Sequence, residues 1–200
     1  MKGFRRLALA VATLAIGAAP AFAFPDRPVQ LIVPWAAGGG MDAVMRIFAN
    51  GLEAELKQPV NVINRTGGGG VTGHTAIATA TADGYTIGGA SPEISFFKTL
   101  GLGDLTPESI DMFSRVSLIP AGVTVKMDSP YKTIANFIKA VKESPKGTFT
   151  SSGTGMGGSW HVAAGGLMKA AGLPADQIRW VPSNGGAPAL QDLAAGGISA

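Results

Sequence analysis

The feature that most constrains this chain is a repeating order of short β-branched runs, glycine clusters and segments with helical spacing. Residues 29–33, VQLIV, are too short for a helix and suit a strand covered on both faces. Pro34 and the glycines Gly38, Gly39 and Gly40 end that run. Val44, Met45, Phe48, Leu52 and Leu56 then recur at helical intervals, which predicts a helix that Asp42 caps and Pro59 stops. A second strand is expected over 60–64, then the glycines 67–70, a small-residue helix over 71–82 and a third strand over 85–90. Strands separated by helical crossovers lie parallel, because a tight hairpin joins only antiparallel neighbours. The fold class is therefore α/β.

From 105 to 126 the texture changes to longer extended stretches broken by Pro120 and Gly122, as a crossing between two lobes requires. The rhythm then restarts with a helix over 134–141, a strand over 148–152, a glycine turn, a helix over 160–171, a strand over 178–181, a second glycine turn and a helix over 187–194. Ile198, Ser199 and Ala200 read as the opening of another strand. The expected organisation is a first lobe over 24–112, a crossing over 113–126 and an incomplete second lobe over 127–200. The chain is expected to be truncated on its C-terminal side.

Residues 1–23 form a different kind of segment. Lys2, Arg5 and Arg6 precede an apolar run over 7–18 and the small-residue pattern Ala21, Phe22, Ala23, the three-part layout of a secretory signal peptide cleaved after Ala23. The run falls short of the roughly 18–20 residues that cross a bilayer. Without the three leader cations, 13 basic residues stand against 13 acidic ones, so no basic patch supports a nucleic-acid partner. The chain has no Cys, which excludes disulfide staples, thiol nucleophiles and thiolate metal sites. An exported, soluble mature chain is expected.

Catalytic motifs are tested and fail. Residues 153–158, GTGMGG, match the spacing of a dinucleotide turn, but Pro182 and Ser183 follow the next strand where a ribose-binding acid belongs. No glycine cluster carries the Lys-Ser/Thr pair of a phosphate loop, and His74 and His161 do not form a paired-His metal motif. Ser159 and His161 are too close in sequence for a nucleophile elbow. No enzyme activity, cofactor or metal is expected. What the chain does supply is four glycine-rich turns, at 36–40, 67–70, 153–158 and 185–186, each where a strand hands over to a helix. Such turns expose backbone N–H groups and aim helix N-termini at one place, which favours an anion.

The strings RPVQLIVPWAAGGGMDAVMR, NRTGGGGVTG with ADGYTIGGAS, SSGTGMGGSWHVAAGGLM and GGAPALQDLAAGG closely resemble the Bug family, the exported receptors of tripartite tricarboxylate transporters. The resemblance covers everything after the leader. It implies a two-lobed, type II periplasmic-binding-protein fold that closes on a small organic carboxylate, with integral-membrane transporter subunits as partners. The implied substrate-binding residues are Trp35, Ala36, Gly38, Gly39 and Asp42 in the first turn and Gly69, Gly70 and Val71 in the second. Thr154, Ser159 and His161 follow from the third, and Gly185 and Ala187 from the fourth. Trp35, and Ser183 with Asn184, depart from the family pattern and bear on which acid fits. An exported α/β enzyme, a sensor-only receptor and a non-functional truncated chain remain as alternatives.

Overall fold

The computed structural model describes residues 24–200, and the expected leader lies outside the described residues. Strand β1 (Val29–Val33) is the centre of a three-stranded parallel sheet, flanked by β2 (Val60–Asn64) and β3 (Thr86–Gly88) in the order β2-β1-β3. Val29 pairs with Val60 and Val33 with Asn64 on one side, and Leu31 pairs with Ile87 on the other. The β-branched run is enclosed on both faces, since Val29, Leu31, Ile32 and Val33 are all buried. Helix α1 (Gly40–Leu56) covers one face with Met45 and Ala49, and Val44, Phe48, Leu52 and Leu56 pack around them. The helix ends at Lys57 in a left-handed conformation whose N–H donates to the Glu53 carbonyl, two residues before Pro59.

Asp42 does not cap α1. Gly39 holds the cap position in extended backbone without a side-chain bond, and Asp42 stands in the first turn. Its carboxylate reaches back to accept from the Gly38 N–H at 2.8 Å. The glycine turn had already brought the chain into cap geometry, which freed the acid for a different bond.

Helix α2 (Val71–Ala78) stops four residues before the expected end. Thr79 Oγ1 donates to the Thr75 carbonyl, and Asp83 Oδ1 accepts from the Tyr85 N–H, so polar side chains compete with continued helix and turn the chain into β3. Two short 3₁₀ turns follow, Pro92–Ser95 and Pro107–Ser109. Residues 110–126 then form neither helix nor strand, and Phe113 and Leu118 on this stretch are exposed.

The second sheet pairs β4 (Thr150–Ser151) and β5 (Arg179–Trp180) in parallel. Around it lie α3 (Ile134–Lys142), α4 (Ser159–Ala170) and α5 (Gly186–Ala195). Its core contains Phe137, Val141, Phe149, Met168 and Ile178. Phe137 and Phe149 meet edge to face with centroids 5.6 Å apart, and Tyr131 joins both. Ser199 and Ala200 donate to the Thr150 carbonyl at 2.9 and 3.0 Å, while β5 bonds the neighbouring Phe149 and Ser151 carbonyls. Residues 198–200 thus lie along the edge of β4 opposite β5, as the opening of a further strand would. Among the described residues no helix is long and apolar enough to cross a membrane.

Candidate functional site

The four glycine turns come together in two pairs, each pair joining the two sheets. The first turn meets the fourth: the Ala36 N–H donates to the Asn184 carbonyl at 3.0 Å, and a Cβ on Gly39 would stand 3.8 Å from the Ala187 nitrogen. A Cβ on Gly38 would touch the Ala187 side chain. The second turn meets the third, so closely that a Cβ on Gly155 would lie 2.6 Å from the Gly69 Cα. Only backbone fits between them. Gly70 has φ +101° and supports the Trp35 ring, which would come within 3.1 Å of any Cβ there. Val71 closes the second turn, its N–H donating to the Gly68 carbonyl.

Behind the first-lobe turns runs a chain of buried polar bonds. Trp35 Nε1 donates to Ser91 Oγ at 3.1 Å, and the Ser91 N–H donates to His74 Nε2 at 3.0 Å. His74 Nδ1 lies 2.8 Å from the Gly70 carbonyl. Because Nε2 accepts, Nδ1 carries the proton and donates, and the imidazole is neutral. Burial pushes the His74 pKa down and outweighs the Gly70 bond and the Glu93 charge, which act the other way. Asp42 is equally engaged: Oδ2 accepts from Gly38 and from Arg46 Nε at 3.0 Å, and Oδ1 accepts from Asn64 Nδ2 at 2.9 Å. Burial alone would raise the Asp42 pKa, but the bonds from Arg46, Gly38 and Asn64 hold it below the usual carboxylate value.

The second lobe offers a different arrangement. Both the N–H and the hydroxyl of Ser159 donate to Glu93 Oε1, at 2.9 and 2.6 Å. Glu93 belongs to the first lobe's 3₁₀ turn and is buried. His161 Nδ1 accepts from the Gly157 N–H at 2.8 Å, which leaves Nε2 as a donor, and its ring stacks on Trp180 with centroids 5.1 Å apart. The Thr154 carbonyl accepts from Trp180 Nε1 and from the Ser183 N–H, while Thr154 Oγ1 is buried with no partner among the described residues.

A cavity of about 1720 Å³ opens between the sheets beside these turns. It exceeds the roughly 300–1,000 Å³ of an ordinary ligand site, and residues 110–125 form part of its lining. Trp35, Gly39, Thr154, Ser159 and Gly185 are on its wall. Ala36, Gly38, Asp42, Gly69, Gly70, Val71, His161 and Ala187 stand behind or beside that wall. Several amides that the sequence suggested for ligand binding already have acceptors: Gly38 on Asp42, Gly39 on Ala36, Gly70 on Gly67 and Ser159 on Glu93. The N–H groups of Gly186 and Ala187 at the start of α5, and of Gly40 and Met41 at the start of α1, have no acceptor among the described residues. Ser91 and Glu93 also line the cavity, and no local motif announced either of them.

Both histidines carry a pH consequence. Burial holds the His161 pKa, like that of His74, below 6.5. Below pH 6.5 the unfolded chain therefore binds more protons than the folded one, so stability is complete above that pH and declines as pH falls. The melting temperature is expected to drop between pH 7.5 and pH 5, and to drop less in His74→Gln. Equal melting temperatures at the two pH values would contradict the buried, neutral assignment.

Two parallel α/β lobes that meet through glycine turns over an intervening cavity define the two-lobed architecture of periplasmic binding proteins. A solved structure described as a periplasmic transporter superposes with a TM-score of 0.74 at 28% identity, over 88% of this chain and 59% of that one. The periplasmic binding protein BugD gives 0.68 at 28% identity, over 88% and 58%. MatC from Rhodopseudomonas palustris with bound malate gives 0.66 at 25% identity, over 88% and 60%. The family model for the tripartite tricarboxylate transporter family receptor matches residues 44–200. The chain belongs to this family of solute-binding receptors, as the Bug resemblance implied. Among curated relatives, the UPF0065 protein in the tcbD-tcbE intergenic region of Pseudomonas sp. strain P51 is 32% identical over 96% of this chain and 56% of its own length. Protein BugT of Bordetella pertussis is 32% identical over 95% and 59%. The chain thus spans less than three-fifths of the curated relatives it matches.

Proposed function

We propose that the protein is an exported, periplasmic receptor that captures a small organic carboxylate between its lobes and delivers it to the membrane subunits of a tripartite transporter. The observation that carries this reading is the meeting of the first and fourth turns, which sets the free Gly186 and Ala187 amides at the N-terminus of α5 beside Gly39 at the start of α1. The N-termini of α1 and α5 meet at the cavity wall, which Gly40, Met41 and Gly186 line, and together they favour one negative group. Thr154 is on the same wall, with its Oγ1 unpartnered among the described residues. The Trp35 indole, anchored by Ser91, supplies an apolar wall. Bound malate in the relative MatC supports a carboxylate as the ligand class.

The reading makes no use of an acid–base pair, because a receptor needs differential binding of a ligand and no chemistry. The division into a first lobe over 24–112, a crossing over 113–126 and a second lobe over 127–200 belongs to the same proposal, with the crossing as the hinge. The receptor is taken to act as a monomer without cofactor. Native mass spectrometry of the protein purified from the cell envelope is expected to show a small organic acid lost on activation. An empty cleft, with no rise in melting temperature across a panel of mono- and dicarboxylates, would overturn the reading. Turnover of one of those acids would replace it with an enzyme.

A further inference from the structure

Resting on the receptor reading, we propose that Glu93 sets the charge selectivity of the cleft. It holds the anion position at the N-terminus of α4 with a carboxylate of the chain itself. The bound acid then presents one carboxylate to the first and fourth turns, and a hydrogen-bond donor rather than a second carboxylate to Glu93.

Three observations carry this assignment. The first is that Glu93 bonds as a ligand carboxylate would: one oxygen, Oε1, takes both the backbone N–H and the hydroxyl of Ser159, the first residue of α4. A second acid group arriving at Ser159 would find both donors of that residue already bonded. The second is that Glu93 is 3% exposed yet lines the cavity, and its other oxygen, Oε2, has no partner among the described residues. An unpaired acceptor on a cavity wall selects for a ligand that brings a donor and against one that brings another acceptor.

The third is that no cation is paired with it, although Arg115 and Lys132 also line the cavity. Among the described residues no ion pair includes Glu93, and the His74 imidazole, which its charge reaches, is neutral with both nitrogens bonded elsewhere. A second negative group beside Glu93 would face a like charge, which is costly. Thr154 Oγ1, an unpaired group on the third turn, is a hydroxyl and offers no compensating charge. The ligand class is therefore a monocarboxylate with a hydroxyl or amino group at its far end.

The test is calorimetry on the full exported protein with two series of matched length. One is succinate, butyrate, 4-hydroxybutyrate and 4-aminobutyrate; the other is adipate, hexanoate, 6-hydroxyhexanoate and 6-aminohexanoate. In at least one series the hydroxy or amino acid is expected to bind about tenfold or more tightly than the dicarboxylate, and Glu93→Gln is expected to remove that ratio. Glu93→Asp keeps the charge and should keep the sign of the preference. A stronger amino acid arm identifies charge pairing, and a stronger hydroxy acid arm a neutral hydrogen bond; either supports the assignment. A dicarboxylate bound as tightly as its hydroxy and amino counterparts overturns it, and so does a methyl-ended acid that matches them. The wild-type ordering decides the matter even if the glutamine variant does not fold. Binding with a ratio that Glu93→Gln leaves unchanged sinks this inference alone, whereas no binding by any of the eight acids sinks the carboxylate receptor reading with it.

Discussion

Replacing Gly73 by Ala is expected to destabilise the protein by about 3 kcal/mol or more, at or beyond the upper end for overpacking a filled interior. Gly73 lies in the first turn of α2, where the helix crosses the end of β1. A Cβ there would stand 2.4 Å from both Pro34 Cα and Pro34 Cβ and 2.6 Å from the Arg65 carbonyl oxygen. Those atoms belong to the backbone and to a rigid ring, so no rotamer change relieves the clash. The helix must move off the sheet instead. That displacement would carry Gly70 and His74 with it, and hence the bonds through which Ser91 anchors Trp35. For a chain of this size the loss corresponds to a fall of about 10 °C in melting temperature. A thermal melt of Gly73→Ala within about 2 °C of wild type would show that α2 has room to shift and that the close approach at Pro34 is not structural.

The same contact shows what could be read from sequence and what could not. β1 and β2 were legible to the residue because β-branched runs ended at breakers, Pro34 after one and Pro59 before the other. The glycine clusters were also legible as turns, since their composition leaves few alternatives. Element ends failed where a side chain took a backbone partner, as Thr79 and Asp83 do beyond α2. The close approach of Gly73 to Pro34 is a long-range packing fact and has no local signature. Glu93 was missed for the same reason: its partner Ser159 is 66 residues away, and a lone Glu in a Ser-Pro-Glu turn reads as an exposed acid. His74 was noticed only as a poor metal candidate, although it is one of the most deeply buried polar side chains of the first lobe. The spacing identified which turns matter, while the hydrogen bonds decided which of their groups remain free for a ligand.

Asp42→Asn provides the second large effect, and it reverses what a helix cap would give. An Asn keeps a cap intact, so a capping role predicts a near-silent change. In the structure the Asp42 carboxylate instead accepts from three donors, Gly38 N, Arg46 Nε and Asn64 Nδ2, and the residue is only 3% exposed. An amide has one acceptor oxygen, so whichever way it is turned its NH₂ faces another donor. Asn64 cannot simply flip to compensate, because its Nδ2 also donates to the Trp35 carbonyl and its Oδ1 accepts from Arg46. The expected cost is about 2 kcal/mol, the usual penalty for a buried group left without its bond, or roughly 5 °C in melting temperature. Arg46→Ala should cost much less, since that side chain is half exposed and its ion pair is screened. The pH dependence separates this effect from that of the histidines. The Asp42 pKa is held below 3.8, so its contribution is complete above pH 3.8 and is lost only as pH falls through the lower folded value. The gap between wild type and Asp42→Asn should therefore stay constant from pH 8 to pH 5 and close in stronger acid. Ligand affinity should fall with stability at neutral pH, because the Gly38 bond sets the shape of the first turn against Gly186 and Ala187. An Asp42→Asn protein that melts within about 1 °C of wild type would return Asp42 to the role of a dispensable cap.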